Sequence, residues 1–447
     1  MADGASSSLA SPARPPTARH HDPGLLFDIV EEHFDEAAFY FRLWDQALDA
    51  FDYTLDEVRR GPEEFLRANI DGLVVGGEAA AERLLWPAVE GDEADNWTGP
   101  GAATLALVSR PDDDPLDRIM LRLPSSEQSP LHGIARALGL AQRSDLDERL
   151  RNILYASDED KHAVLLDILA ERGVDPGPLV GVCLQGTNMA AARSALRAVR
   201  HSSDPSVHAR AVEKLFNSAE VRIRTAALET GLLLGLPAAQ SARLRQARAH
   251  DDHALLLTAL VGSEAEQELI FAALDDPGHR TAALRALGFI GTQRAAEFCL
   301  RFIDDPDKLA AGLAGEAFSM ITGLNSGPFA LAPEQDDESI SDAKDGLGES
   351  AVLALPVLDP SAVAEWWKGK RPNFKPGPRY LRGEPRTLAN IGEQLARLPM
   401  RWRNVILLEL SLRKPGTRPF SPRSWTRRQE AQTRTLFEPT DRRSSSP

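Results

Sequence analysis

The sequence predicts an all-α fold: an α-solenoid of paired helices, with a helical unit ahead of it and a small helical domain behind it. Three observations carry this. An Arg followed by small residues and Leu recurs with Asp-Pro punctuation in the middle of the chain. The stretch before it shows the apolar stripes of amphipathic helices. The stretch after it combines shorter helical stripes with a reversal of charge.

Taken in order, residues 1–24 are rich in Ala, Ser, Pro and Arg with little to bury, and are expected to be a disordered leader. From Leu25 to Ala50 the apolar positions Leu26, Ile29, Val30, Phe34, Ala37, Ala38, Phe41 and Leu48 recur at steps of three and four, one face of a helix. Thr54 and Glu57 have the spacing of a capping box. Pro62 fits the first turn of a helix reaching about Glu90, which Gly76-Gly77 interrupts, because each glycine inside a helix costs about 1 kcal/mol. This predicts a helical N-terminal domain over 25–123.

Residues 124–324 carry the repeat, strict over 188–324 and degenerate over 124–187. Its copies begin Arg193-Ser-Ala-Leu196, Arg210-Ala-Val212, Arg224-Thr-Ala-Ala-Leu228 and Arg280-Thr-Ala-Ala-Leu284. Asp204-Pro205, Asp276-Pro277 and Asp305-Pro306 punctuate them. Arg193 and Arg224 are 31 residues apart, and Asp276 and Asp305 are 29 apart, the period of a helical hairpin. Asp is expected at the N-cap with Pro next, and the glycines of Leu234-Gly235 and Leu287-Gly288 at left-handed C-caps. Such hairpins cannot bury their apolar faces alone, so they must stack.

Residues 325–360 are acidic and turn-rich and read as a linker. Residues 366–430 then hold 16 Lys or Arg against 4 Asp or Glu, a net +12; the whole chain carries −15, so the rest carries −27. Stripes at Leu388–Leu398 and Val405–Leu412 predict a basic helical C-terminal domain over 361–436, followed by a disordered tail, 437–447.

The 447 residues are enough for two to four domains at about 100–200 residues each. The acidic balance argues against a general nucleic-acid or anionic-membrane binder. No apolar run approaches the roughly 18 residues of a spanning helix, and the first residues lack the apolar middle of a secretory signal. Two cysteines, Cys183 and Cys299, exclude a disulfide framework and fit a reducing cytoplasm.

The repeat resembles the HEAT repeat in its short bacterial form, like that of bilin-lyase-type repeats. Further stretches resemble an uncharacterised bacterial family of HEAT-repeat-containing proteins: Glu32-His33-Phe34-Asp35-Glu36-Ala37-Ala38-Phe39, Asp71-Gly72-Leu73-Val74-Val75-Gly76-Gly77-Glu78-Ala79-Ala80, Trp366-Trp367, Gly377-Pro378-Arg379-Tyr380-Leu381-Arg382-Gly383-Glu384-Pro385 and Leu408-Glu409-Leu410. The resemblance covers about residues 25–436, with Pro378 standing where a polar residue is expected. It implies a role accessory to type VI secretion and carries over no catalytic residues.

The residues themselves offer little chemistry. One HEAT-repeat enzyme type binds iron through His-Glu dipeptides, and no His here is followed by Glu. His250-Asp251-Asp252-His253 is the best local metal cluster, though Asp251 or Asp252 serves equally well as an N-cap. His33 among Glu31, Glu32, Asp35 and Glu36, and the run Asp112-Asp113-Asp114, fit solvated or capping roles better than cation sites. Cys183 and Cys299 lie in apolar settings without a neighbouring His in sequence, as small hydrophobes. There is no Gly-x-Ser-x-Gly elbow and no phosphate loop. No catalytic, cofactor-binding or metal residue is therefore assigned, and no cofactor is expected.

The basic segment supplies the candidate interaction residues. Arg401-Trp402-Arg403 and Trp425 with Arg427 and Arg428 interleave cations and aromatics, which grips phosphates and stacks bases; Trp366, Trp367, Arg379 and Tyr380 complete the set. The competing expectation is that these arginines pair with the acidic body and the tryptophans join the core. The function expected is a non-enzymatic protein-interaction scaffold or adaptor of the bacterial cytoplasm, with protein partners, no membrane contact and nucleic acid disfavoured. The alternatives are a nucleic-acid binder using the basic segment, or a HEAT-type lyase or metalloenzyme.

Overall fold

The computed structural model describes residues 26–91, 96–111, 114–123, 129–331, 355–387, 390–414 and 420–437, without the side chains of residues 129–131. The expected leader, most of the acidic linker, Asp112-Asp113 and nearly all of the tail lie outside the described residues. The fold is all-α. A two-residue hairpin, Tyr380–Leu381 paired antiparallel with Glu384–Pro385, is the one small sheet among the described residues. Arg382 and Gly383 form its turn with φ of 53° and 82°.

The first helix, Phe27–Ala47, buries Val30, Ala37, Phe41 and Trp44. Thr54 and Glu57 form the capping box. Pro62 does not simply open a helix: it follows a kink at Gly61, inside a π-helical segment Arg59–Glu63 that leads into Glu64–Val75. That helix stops at Gly76-Gly77, where Gly77 takes φ 61°.

Between Thr98 and Thr322 every second helix packs on the previous member of the same series. Thr98–Ser109 lies on Ser129–Leu140, then follow Glu159–Arg172, Met189–Ala198, Val221–Leu233, Asp252–Val261, Arg280–Ile290 and Lys308–Thr322. We call these the stacked helices. Intervening helices such as Leu179–Gln185, Pro237–Arg248, Glu264–Ala273 and Gln293–Leu300 connect and flank them. Alanines such as Ala192, Ala195, Ala283, Ala286, Ala314 and Ala317 are buried along the row and permit close approach.

The recurring Arg has one geometry in two copies. Arg224 donates to the Ser218 carbonyl six residues back (2.9 Å) and faces Asp251 of the next hairpin (3.6 Å). Arg280 donates to the Leu274 carbonyl six residues back (3.2 Å) and pairs with Asp305 of the next hairpin (3.1 Å).

Two cap expectations need correction. Gly235 takes the left-handed conformation, but Gly288 lies inside Arg280–Ile290, and the left-handed cap is Gly291. A Cβ on Gly288 would press on Ala317 and Met320, so this glycine serves helix contact instead. Asp204 is an N-cap, whereas Asp276 and Asp305 fold the turn earlier, leaving the caps to His279 and Asp307. The ends of the acidic stretch pair with each other: Leu331 donates to Val357 and Asp359 to Phe329.

Candidate functional site

Several residues of the basic C-terminal segment lie on the C-terminal ends of helices elsewhere in the chain. Such ends carry unpaired carbonyls and partial negative charge, so guanidinium and N–H donors are favoured there. Arg413 donates to the Leu260 carbonyl (2.7 Å) at the end of Asp252–Val261. Arg379 donates to Ile290 (3.0 Å) and Phe289 at the end of Arg280–Ile290, while the Tyr380 N–H donates to Gly291 (2.6 Å). The Arg382 and Gly383 N–H groups donate to Met320 and Ile321 near the end of Lys308–Thr322. Trp425 Nε1 donates to Leu140 (2.8 Å), and Arg428 to Arg172, ending two earlier stacked helices. Asn404 donates to Leu48 (3.0 Å), just past the first helix.

Carboxylates complete these contacts. Glu409 receives Arg379 (2.7 Å), Arg413 (2.9 Å) and Arg386. Burial, with Arg386 beside it, brings the Arg379 guanidinium down to about 10 despite Glu409. Glu316 receives Arg401 (3.0 Å) and Trp402 Nε1 (2.8 Å). Arg423 pairs with Asp45 (3.0 Å) and Asp49. Burial alone would raise the Asp45 carboxyl, but Arg136 and Arg423 outweigh it and hold it below the usual range.

Of the ten candidate interaction residues, Arg427 is the exposed one. Trp367, Tyr380, Arg403 and Trp425 are buried. Trp367 packs on Phe318 and Phe374 with ring centroids 5.5 and 5.0 Å away, and Trp366 is half-buried against the same Phe318. Arg403 donates to Gln429 (2.8 Å) and Thr433 (3.1 Å). Packed this way, these side chains offer little to a phosphate or a base. Sequence reasoning did not foresee that Arg379, Arg413 and Arg428 reach helix-end carbonyls, because no local signal names those carbonyls.

The histidines assemble differently from their order in the chain. His253 turns to Glu229 (3.4 Å) and leaves His250. His250 instead meets Asp276 and His279 of the next turn, with one possible ligand atom from each lying within 4.8 Å of the others. His33 turns inward to Asn69 (2.8 Å), away from its acidic neighbours. Cys183, expected to lack a histidine, has His162 Nδ1 of the helix Glu159–Arg172 at 3.8 Å. Burial, aided by Glu159, pushes that thiol up, the opposite of an activated nucleophile. Burial also pushes up Cys299.

No family model matches the chain, and no curated protein matches it. Among the described residues no helix is long and apolar enough to cross a membrane.

Proposed function

We propose that the chain is a non-enzymatic protein-interaction scaffold or adaptor, built as a HEAT-type α-solenoid and working in the bacterial cytoplasm. The observation that carries this reading is the row of stacked helices with its repeated arginine links, an arrangement that presents an extended surface for a macromolecular partner. Arg379, Arg413 and Arg428 of the basic segment reach helix C-terminal ends, whereas Met189 and Val221, the first residues of two neighbouring stacked helices, stay exposed, as do Val182 and Val207. Exposed apolar groups of this kind suit a protein partner better than a polyanion. Nucleic-acid binding has weaker support, since the arginines that would grip phosphates are engaged by carbonyls and carboxylates. The setting beside type VI secretion rests on sequence resemblance alone.

The test is an affinity capture from the native host with chemical crosslinking, using wild-type bait and a V207K/V221K bait. A component of a contractile secretion apparatus recovered by the first and lost by the second supports the proposal. Equal recovery by both, or none by either, ends it.

A further inference from the structure

We propose that His250, Asp276 and His279 bind a divalent transition-metal ion of the zinc class, bridging two successive hairpin turns. His250 closes the Pro237–Arg248 helix, and its N–H donates to Ala247 (3.0 Å). Its φ is 56°, a left-handed conformation where glycine is the ordinary choice, and it brings the imidazole to the mouth of the turn. Asp276 uses one oxygen, Oδ1, to fold its own turn onto the Gly278 N–H (3.0 Å). Its other oxygen, Oδ2, faces His250 Nδ1 at 3.6 Å. His279 precedes Arg280–Ile290 and stands with its ring 5.5 Å from that of His250, at 70° to it.

The fourth member is Asp252. Its Oδ1 lies 3.1 Å from His279 Nδ1, which fixes the ring's orientation and leaves Nε2 as the ligating nitrogen. A carboxylate on the far nitrogen of a ligating imidazole is the support such ligands ordinarily have. Two imidazoles and one carboxylate select zinc-class ions over calcium or magnesium, which take all-oxygen shells. Bonds of about 2.0–2.2 Å bring ligand atoms closer together than they stand here, and these partly exposed side chains close that gap by small rotations. Three protein ligands leave a fourth position to water. Because His250 and Asp252 belong to one turn and Asp276 and His279 to the next, the ion would fix the spacing of adjacent hairpins.

The experiment titrates chelator-stripped full chain, carrying H20A/H21A to remove the histidine pair near its start, with Co2+ as the visible probe. The expected result is one equivalent bound with the ligand-field absorption of a low-coordinate site, displaced by Zn2+. H250A/H279A should abolish the band, and D252N, which keeps all three ligands, should weaken binding about tenfold. Far-UV circular dichroism checks that each variant is folded. Absence of the band in the parent chain, its persistence in folded H250A/H279A, or unchanged affinity in D252N would each overturn the proposal. Should H250A/H279A not fold, the parent titration and D252N decide alone.

Discussion

Glu63 caps a helix that begins 363 residues later: its Oε2 accepts the Thr426 N–H (2.9 Å) and its Oε1 the Thr426 hydroxyl (2.7 Å). Thr426 opens Thr426–Phe437, so a carboxylate in the N-terminal part does what a local Asp or Ser usually does at a helix start. Trp44 Nε1 donates to the same carboxylate (3.1 Å), and the Trp44 ring lies 5.1 Å from that of Trp425. E63A strands these buried donors and should cost about 2–4 kcal/mol, measured by urea unfolding. E63Q keeps an acceptor and a donor in place and should cost much less. Burial raises the Glu63 carboxyl above its ordinary 4.5, against the donors from Thr426 and Trp44. The folded state therefore holds this proton more tightly than the unfolded chain, and its contribution to stability declines as pH rises above about 4.5. Relative to wild type, E63Q should gain stability between pH 4.5 and 7; a constant difference would refute the assignment.

Glu229 behaves in the opposite sense. Burial alone would raise it, but Arg200 and His253 outweigh burial and bring it down to about 2. A carboxylate depressed from 4.5 to about 2 stabilises the fold above the unfolded value, and that stabilisation is lost as pH falls from about 4.5 toward 2. Wild type should lose stability over this range more steeply than E229Q in pH-dependent thermal unfolding. Parallel curves would exclude Glu229 as a source of the acid transition. Arg200 pairs with Glu229 (3.0 Å), and lysine keeps the charge without the guanidinium fork, so R200K should show the acid dependence in weakened form rather than none.

The helices were legible because periodicity, caps and repeats are local signals. Thr54 and Glu57 sit three apart and cap each other, and the Arg224 and Arg280 copies share one geometry. What escaped was decided between distant segments. Gly288 reads as a helix end until Ala317 and Met320 are seen against it, and Asp276 reads as a cap although it folds a turn. His250 looks like a partner of His253 three residues on, yet its left-handed backbone sends it to Asp276 and His279 of the next hairpin. For Arg379 and Trp425 the sequence leaves partner binding and internal packing both open, because nothing local shows that the carbonyls of Ile290 and Leu140 receive them.

Both thiols should resist modification in the folded chain. Cys183 and Cys299 are buried, and burial pushes each thiol up, so little thiolate forms at neutral pH. An aromatic disulfide reagent at pH 7.5 should react with neither in native protein and with two equivalents in urea. Rapid native reaction at Cys183, confirmed by its loss in C183S, would show that His162 activates the thiol after all.

Glu409 is the carboxylate on which the hairpin contacts turn. It is buried within Met400–Leu412 and meets Arg379, Arg386 and Arg413, two of which reach the carbonyl ends of stacked helices. E409A leaves buried guanidinium groups without their anion and should cost about 3–5 kcal/mol. R413A removes a half-exposed arginine and one carbonyl contact, and should cost about 1 kcal/mol or less. The difference separates a buried charge network from the simple loss of one charged side chain, which both variants share. Limited proteolysis supplies the spatial readout: E409A should expose the Tyr380–Leu381 and Glu384–Pro385 hairpin to cleavage well before the stacked helices, while R413A should digest like wild type. If the two variants unfold at the same urea concentration with the same cleavage pattern, Glu409 does not anchor the hairpin to the helix ends.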